Sequence, residues 1–211
     1  MNFDQTVRIE SILPHVSKGI ANRKLKSSWT VWSQKKDINE NDWMQNVIPI
    51  YEFNSSNEFW YIYYNLDLTT EIKYIFMRDK IHPKWEDKHN INGGYYCINI
   101  PEIDKSNIFK TCLSGMIGET LTKKRYNSNH ITGMTFVSNK NKSHIRIWID
   151  DSHYQLKKDN LSKEYVAVFN KINAVNDNDM KFVDFKRLID KQNAVNDNNI
   201  KFIDFKCLID K

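Results

Sequence analysis

Trp85, Glu86 and Asp87 stand side by side in HPKWEDKHNINGGYY, the stretch from His82 to Tyr96. A large flat ring followed at once by two carboxylates is an uneasy set of neighbours, because tryptophan favours the interior and carboxylates favour water. Trp43 closes a second polar stretch, DINENDW, which begins at Asp37. Two indoles displayed from loops can stack on both faces of a planar group, and a positive charge on that group adds cation–π attraction. A carboxylate next to one ring accepts N–H donors from the edge of the same group. A methylated, positively charged purine meets all of these demands. The same residues also describe a half-buried tryptophan beside a solvated turn, with no ligand at all. The sequence leaves both readings open at this point.

Other chemistries find little support. G-x-S-x-G, a P-loop lysine motif and H-E-x-x-H are all missing from the sequence. The six histidines, His15, His82, His89, His130, His144 and His153, show no metal-ligand spacing, so no metal or cofactor is expected. Cys97, Cys112 and Cys207 are odd in number and form no C-x-x-C, which fits a reducing compartment. No apolar run approaches the ~20 residues of a membrane helix, and the N-terminus lacks a secretory h-region. The default expectation is a soluble intracellular protein that fits no common enzyme template. Aromatics make up 13% of the 211 residues and the formal net charge is +5, a mild bias compatible with an anionic partner. Residues 173–211 are balanced in charge, so the excess belongs to residues 1–172.

The elements that must hold these groups can be read from periodicity. Residues 1–27 read as a flexible lead-in. SWTVWSQ from Ser28 and VIPIYEF (Val47 to Phe53) read as strands. Ser55-x-x-Glu58 is a capping box ahead of Phe59, Trp60, Tyr63 and Tyr64, and so predicts a helix. Tyr74 to Met77 and GYYCINI (Gly94 to Ile100) read as two more strands. A second helix is expected after Asp104 or Ser106, with Phe109, Cys112, Leu113, Met116 and Ile117 on one stripe. ITGMTFVS and HIRIWID follow as strands, the latter alternating Ile145, Ile147 and Ile149 against Arg146 and Trp148. A third helix is expected over about 160–172. The C-terminus is a tandem duplication: Asn173 to Lys191 and Asn193 to Lys211 agree at all but four positions, each copy being a turn-rich NAVNDN followed by a KF-V/I-DFK strand. This order predicts an α+β fold, a mostly antiparallel sheet with helices on one face. The predicted domain covers 28–191, and the second copy, 192–211, is an appendage.

The sequence resembles the translation initiation factor 4E family, the messenger RNA cap-binding proteins. The resemblance spans about Leu25 to Phe185. It rests on W-T-V-W (Trp29 to Trp32), Trp43, E-F-W (Glu58 to Trp60), I-H-P-K-W-E-D with N-x-x-G-G (Ile81 to Gly94), I-G-E (Ile117 to Glu119) and I-R-I-W (Ile145 to Trp148). It implies a curved sheet with three helices on the convex back. It also implies that Trp43 and Trp85 sandwich a 7-methylguanine, that Glu86 accepts from its N1 and N2 donors, and that Trp148 lies near the methyl group. A non-enzymatic monomer acting in the cytoplasm (the host's, if viral) is implied, with capped mRNA and a scaffold protein of the initiation complex as its partners. Cap sequestration without a scaffold, or a protein-interaction module that has lost cap binding, are the alternatives.

Two departures stand out. The arginine and lysine with which the family holds the cap phosphates read Asn139 and His144 here, and the acid that steadies that arginine reads Lys73. Lys73, with Lys140 or Lys142 and His144, is the expected phosphate contact; the alternative is that these lysines are solvated loop charges. On the convex back, Trp60 matches the family's partner-binding tryptophan, but its surroundings read Ser56, Lys110, Thr111 and Ser114 where apolar residues and one acid are usual. A lysine in an apolar groove is costly to desolvate, so ordinary scaffold and repressor peptides should bind weakly. The residue usage, the divergence and the duplicated tail suggest a protist or large-DNA-virus member.

Overall fold

The computed structural model describes residues 22–35, 47–69, 72–138, 143–151 and 181–190. Its strands are β1 (Lys24–Lys35), β2 (Val47–Ser55), β3 (Ile72–Arg78), β4 (Gly94–Ile100), β5 (Ile131–Val137), β6 (Ser143–Ile149) and β7 (Lys181–Asp184). Helix α1 (Ser56–Asn65) follows β2, α2 (Lys105–Ile117) follows β4, and a helical turn over 185–190 follows β7. The strands form one antiparallel, curved sheet in the order β2-β1-β3-β5-β6-β4-β7.

The period of two in the strands divides the sheet into two faces. Trp29, Val31, Tyr74, Phe76, Tyr96, Ile98, Met134, Phe136, Ile145 and Ile147 point to one side. There they meet Phe59, Ile62 and Tyr63 of α1 and Ile108, Phe109, Cys112, Leu113 and Met116 of α2 in the main core. The opposite parity gives a second, smaller cluster of Ile75, Met77, Tyr95, Cys97, Trp148, Phe185 and Leu188, with Trp32 and Trp85 partly buried against it. Neither α1 nor α2 contributes to this second face.

Local chemistry fixes the element ends. The Ser55 hydroxyl accepts from the Glu58 amide, while the Glu58 carboxylate accepts from the Ser55 amide at 3.1 Å and the Asn54 amide at 3.0 Å. This capping box fulfils the sequence expectation. At the far edge β2 is irregular: Val31 pairs with Tyr51 but Trp32 pairs with Pro49, so Ile50 is left over as a bulge.

β1 begins at Lys24, inside the segment read as a lead-in. The reason is a tether to α1. The Arg23 amide donates to Ser56 Oγ at 2.9 Å and the Ser56 amide donates back to the Arg23 carbonyl at 2.8 Å. Just beyond, Lys26 reaches the Glu119 carboxylate at 3.1 Å. Glu119 also pairs with Arg78 at 2.9 Å, both groups being buried. Arg78 further donates to the carbonyls of Ile131 and Ser128 and to Ser27 Oγ, so one guanidinium ties β1, β3 and the lead into β5 to the end of α2. The expected helix over 160–172, the loop carrying Trp43, and the second repeat copy lie outside the described residues.

Candidate functional site

Asp87 and Glu86, adjacent in sequence, are put to different uses. The β3–β4 loop turns at Asp79 and Lys80, both at positive φ (46° and 64°). Its start rests on β1, where the His82 ring lies 5.6 Å from Trp32. Asp87 then closes the loop on itself: its carboxylate accepts from the His82 amide at 3.2 Å and the His89 amide at 2.9 Å, and touches His89 Nδ1 at 3.1 Å. Burial raises the Asp87 pKa, but these amides and the His89 ring outweigh it and hold the carboxyl below its ordinary value. Asn90, fully buried, donates to the carbonyls of His82 and Lys84 and accepts from Thr132. Gly93 ends the loop so close to β6 that a Cβ there would sit 1.8 Å from the Ile149 carbonyl oxygen. Glu86 takes no part in this scaffold. It is exposed, and among the described residues its carboxylate has no hydrogen bond or ion pair.

Trp85 is half-buried. Its ring is backed by Phe185, stacked at 6.5 Å between centroids and 20° between planes. Phe185 is fully buried, and its ring also lies 4.8 Å from Trp148 and 5.7 Å from Tyr95. Trp148 is 4% exposed and donates from Nε1 to Thr135 Oγ1 at 2.9 Å, which makes it the inner wall of the face. A wall and a floor therefore stand behind the Trp85–Glu86 pair.

Three rows of side chains cross this face, set by the strand register. Thr30, Met77, Gly133, Trp148, Tyr95 and Val183 form the first. Trp32, Ile75, Thr135, Arg146 and Cys97 form the second. Gln34, Lys73, Val137, His144 and Asn99 form the third. Lys73 donates to Gln34 Oε1 at 3.0 Å. Burial, helped by the positive charge of Arg146, lowers the Lys73 pKa from 10.5 to about 7. The Arg146 guanidinium itself lies 5.0 Å from the centre of the Tyr95 ring.

A family model described as eukaryotic initiation factor 4E matches residues 24–200 of the chain. The chain belongs to the eukaryotic initiation factor 4E family. It is similar to eukaryotic translation initiation factor 4E-1 of Prunus domestica, at 29% identity over 160 residues covering 71% of this chain and 67% of that one. It is similar also to the initiation factor 4E of Dictyostelium discoideum, at 28% over 131 residues, 59% of this chain and 51% of that one. The matched part thus spans between half and two thirds of these relatives. Among solved structures, C. elegans eIF4E-3 with the 4E-binding protein Mextli and a cap analogue aligns with a TM-score of 0.64 at 18% identity, over 81% of this chain and 96% of that one. Schistosome eIF4E with m7GpppG and 4E-BP aligns at 0.62 and 18% identity, over 89% and 97%. At such identities the structural likeness is one of fold, and it bears out the curved antiparallel sheet.

Within this 4E-family fold, the structure brings Trp85, Trp148, Lys73 and His144 to the face away from α1 and α2, and leaves Glu86 exposed on the loop next to Trp85. Trp43, Asn139, Lys140 and Lys142 fall outside the described residues. Three residues of the face were not read from the sequence as site groups. Arg146 was visible as a polar position in HIRIWID, on the same strand face as Trp148, which was the signal available. Tyr95 and Phe185 carried none, since only pairing across β6, β4 and β7 puts them beside the tryptophans. On the opposite face Trp60 is half-buried, 4.7 Å from Phe59 and stacked on Tyr64 at 5.8 Å, with Tyr64 70% exposed. On α2 the Thr111 and Ser114 hydroxyls donate to carbonyls of their own helix.

Proposed function

We propose that the chain binds the 7-methylguanosine cap of mRNA on the sheet face away from α1 and α2 and serves translation initiation through a protein partner on the Trp60 face. Trp85 supplies one stacking wall, Trp43 the other, Glu86 the acceptor for the guanine N1 and N2 donors, and Trp148 the inner wall near the methyl group. Lys73 and Arg146, with His144, take the phosphates, joined by Lys140 and Lys142 from the connection between β5 and β6. The observation that carries this reading is the division of labour between the two adjacent acids: Asp87 is consumed by the loop, whereas Glu86 stands exposed beside a ring braced from behind by Phe185. A structural turn needs only the first; a recognition site needs the second.

Intrinsic tryptophan fluorescence, titrated with a 7-methylguanosine triphosphate and separately with guanosine triphosphate, tests it. Quenching should be strong for the methylated ligand alone. Trp85→Ala and Glu86→Ala should each weaken it by roughly tenfold or more, about 1–3 kcal/mol per lost stack or charged hydrogen bond. Glu86→Ala should leave the melting temperature unchanged. Equal quenching by both ligands, or full affinity in Glu86→Ala, would show that the pair is structural.

The partner face differs from an ordinary apolar groove. Lys110 is half-buried on α2, beside Thr111 and Ser114. This favours a partner whose chemistry differs from a leucine-rich helix. Nanomolar binding of a common 4E-binding peptide would overturn that part of the reading.

A further inference from the structure

The sheet ends on a strand drawn from the first repeat copy. β7 pairs antiparallel with the outer edge of β4, Gly94 against Asp184 through Cys97 against Lys181, and the Phe185 amide donates to the Gly93 carbonyl at 3.0 Å. The slot then reads three side chains: Val183 and Leu188 pack into the second cluster, and Phe185 is fully buried against Trp148, Tyr95 and Trp85. Exactly one copy can fill it at a time.

The second copy matches the groups the slot reads, with one conservative change. Lys201, Phe202, Asp204, Phe205 and Leu208 repeat Lys181, Phe182, Asp184, Phe185 and Leu188, and Ile203 replaces Val183 with one more methylene. The remaining differences are Asp179 against Asn199, Met180 against Ile200, and Arg187 against Cys207. Arg187 is exposed, so its replacement costs the slot nothing. Docking the second copy instead of the first lengthens the connection from β6 by one repeat. Closure entropy grows only with the logarithm of loop length, so the penalty is slight. The added methylene of Ile203, in an apolar cluster, acts in the opposite direction.

We propose that the edge of β4 is a docking surface for either C-terminal repeat of the same chain, with Phe185 and Phe205 alternating as the brace behind Trp85 and Trp148. The two arrangements are isomers of one sheet and exchange without a change in its register or face. The duplication thereby supplies a spare for the strand on which the tryptophan cluster depends.

The test is a cycle on the full chain: Phe185→Ala, Phe205→Ala and the double variant, followed by thermal unfolding. With exchange, each single variant melts within a few degrees of the parent, because the intact copy takes the slot. The double variant loses roughly 10 °C or more, or does not fold. A Phe185→Ala variant as destabilised as the double one overturns the proposal, as does a double variant as stable as the parent. Hydrogen exchange on the parent gives a second reading: partial protection in both 181–190 and 201–210 supports exchange, and full protection of the first with none in the second overturns it. Light scattering on Phe185→Ala must show a monomer; a concentration-dependent dimer would mean that the slot is filled from a second chain, against the proposal.

Discussion

Lys73 sits on β3 between Gln34 of β1, to which it donates, and the guanidinium of Arg146 on β6, which repels it. Val137 and His144 complete its row. With its pKa lowered to about 7, the amine is partly neutral at physiological pH. A phosphate brought to the row favours the charged form, so binding raises that pKa and takes up a proton. Affinity for the cap triphosphate should therefore fall as pH rises above 7, by up to about tenfold per unit until the bound state also titrates. Lys73→Arg keeps its charge across this range and should remove the part of the slope that Lys73 carries. Titrations of both proteins between pH 6.5 and 8.5 check this, and the ligand's own ionisation cancels in the ratio of their affinities. A constant ratio would place Lys73 away from the phosphates. Arg146 needs no such condition, because a guanidinium stays charged throughout.

At the scale of elements, the capping box joins two links. The Glu58 carboxylate gathers the amides of Asn54 and Ser55 and the Ser55 hydroxyl, and Ser56 in turn holds Arg23 at the start of β1. Ser55→Ala should cost about 1 kcal/mol in urea unfolding, and amide exchange should rise at the N-terminal end of β1 as well as in α1. This box was legible because its signal is local, two residues three apart that bond to each other. Strand HIRIWID was legible for the same reason: its alternation gives each residue's face directly, whereas GYYCINI, buried on both faces, showed a strand but not its faces. The rows across the face were not, because β3, β5, β6 and β4 are neighbours in an order that the chain does not follow. Arg146 could be assigned to the side of Trp148, but not to the neighbourhood of Lys73. Phe185 was hidden differently. The repeat shows two equal candidates for the last strand, and nothing in either copy says which one docks.

The whole molecule is tied across its middle by Arg78 and Glu119. Burial raises the Glu119 pKa, but hydrogen bonds and charge from Arg78 and Lys26 outweigh this and leave it below its ordinary value. The unfolded chain then takes up the proton first on acidification. The stabilisation is complete above the unfolded pKa of about 4.3 and is lost as pH falls through the lower folded value. Glu119→Gln should destabilise the chain at pH 7 by about 3–5 kcal/mol, since it strands a buried guanidinium, and should flatten the loss of stability below pH 4.5. Chemical denaturation at pH 7 and pH 4 measures both. At the opposite margin of the sheet, β2 leaves Ile48 and Ile50 exposed at 52% and 45%. Among the described residues β2 pairs on one side only, and an apolar strand so placed is ordinarily an invitation to stack with its own kind. Pro49 withholds an amide donor and the bulge at Ile50 breaks the regular spacing that an incoming ladder would copy. The irregular backbone thus works against ladder growth at this greasy margin, where many proteins would place a lysine.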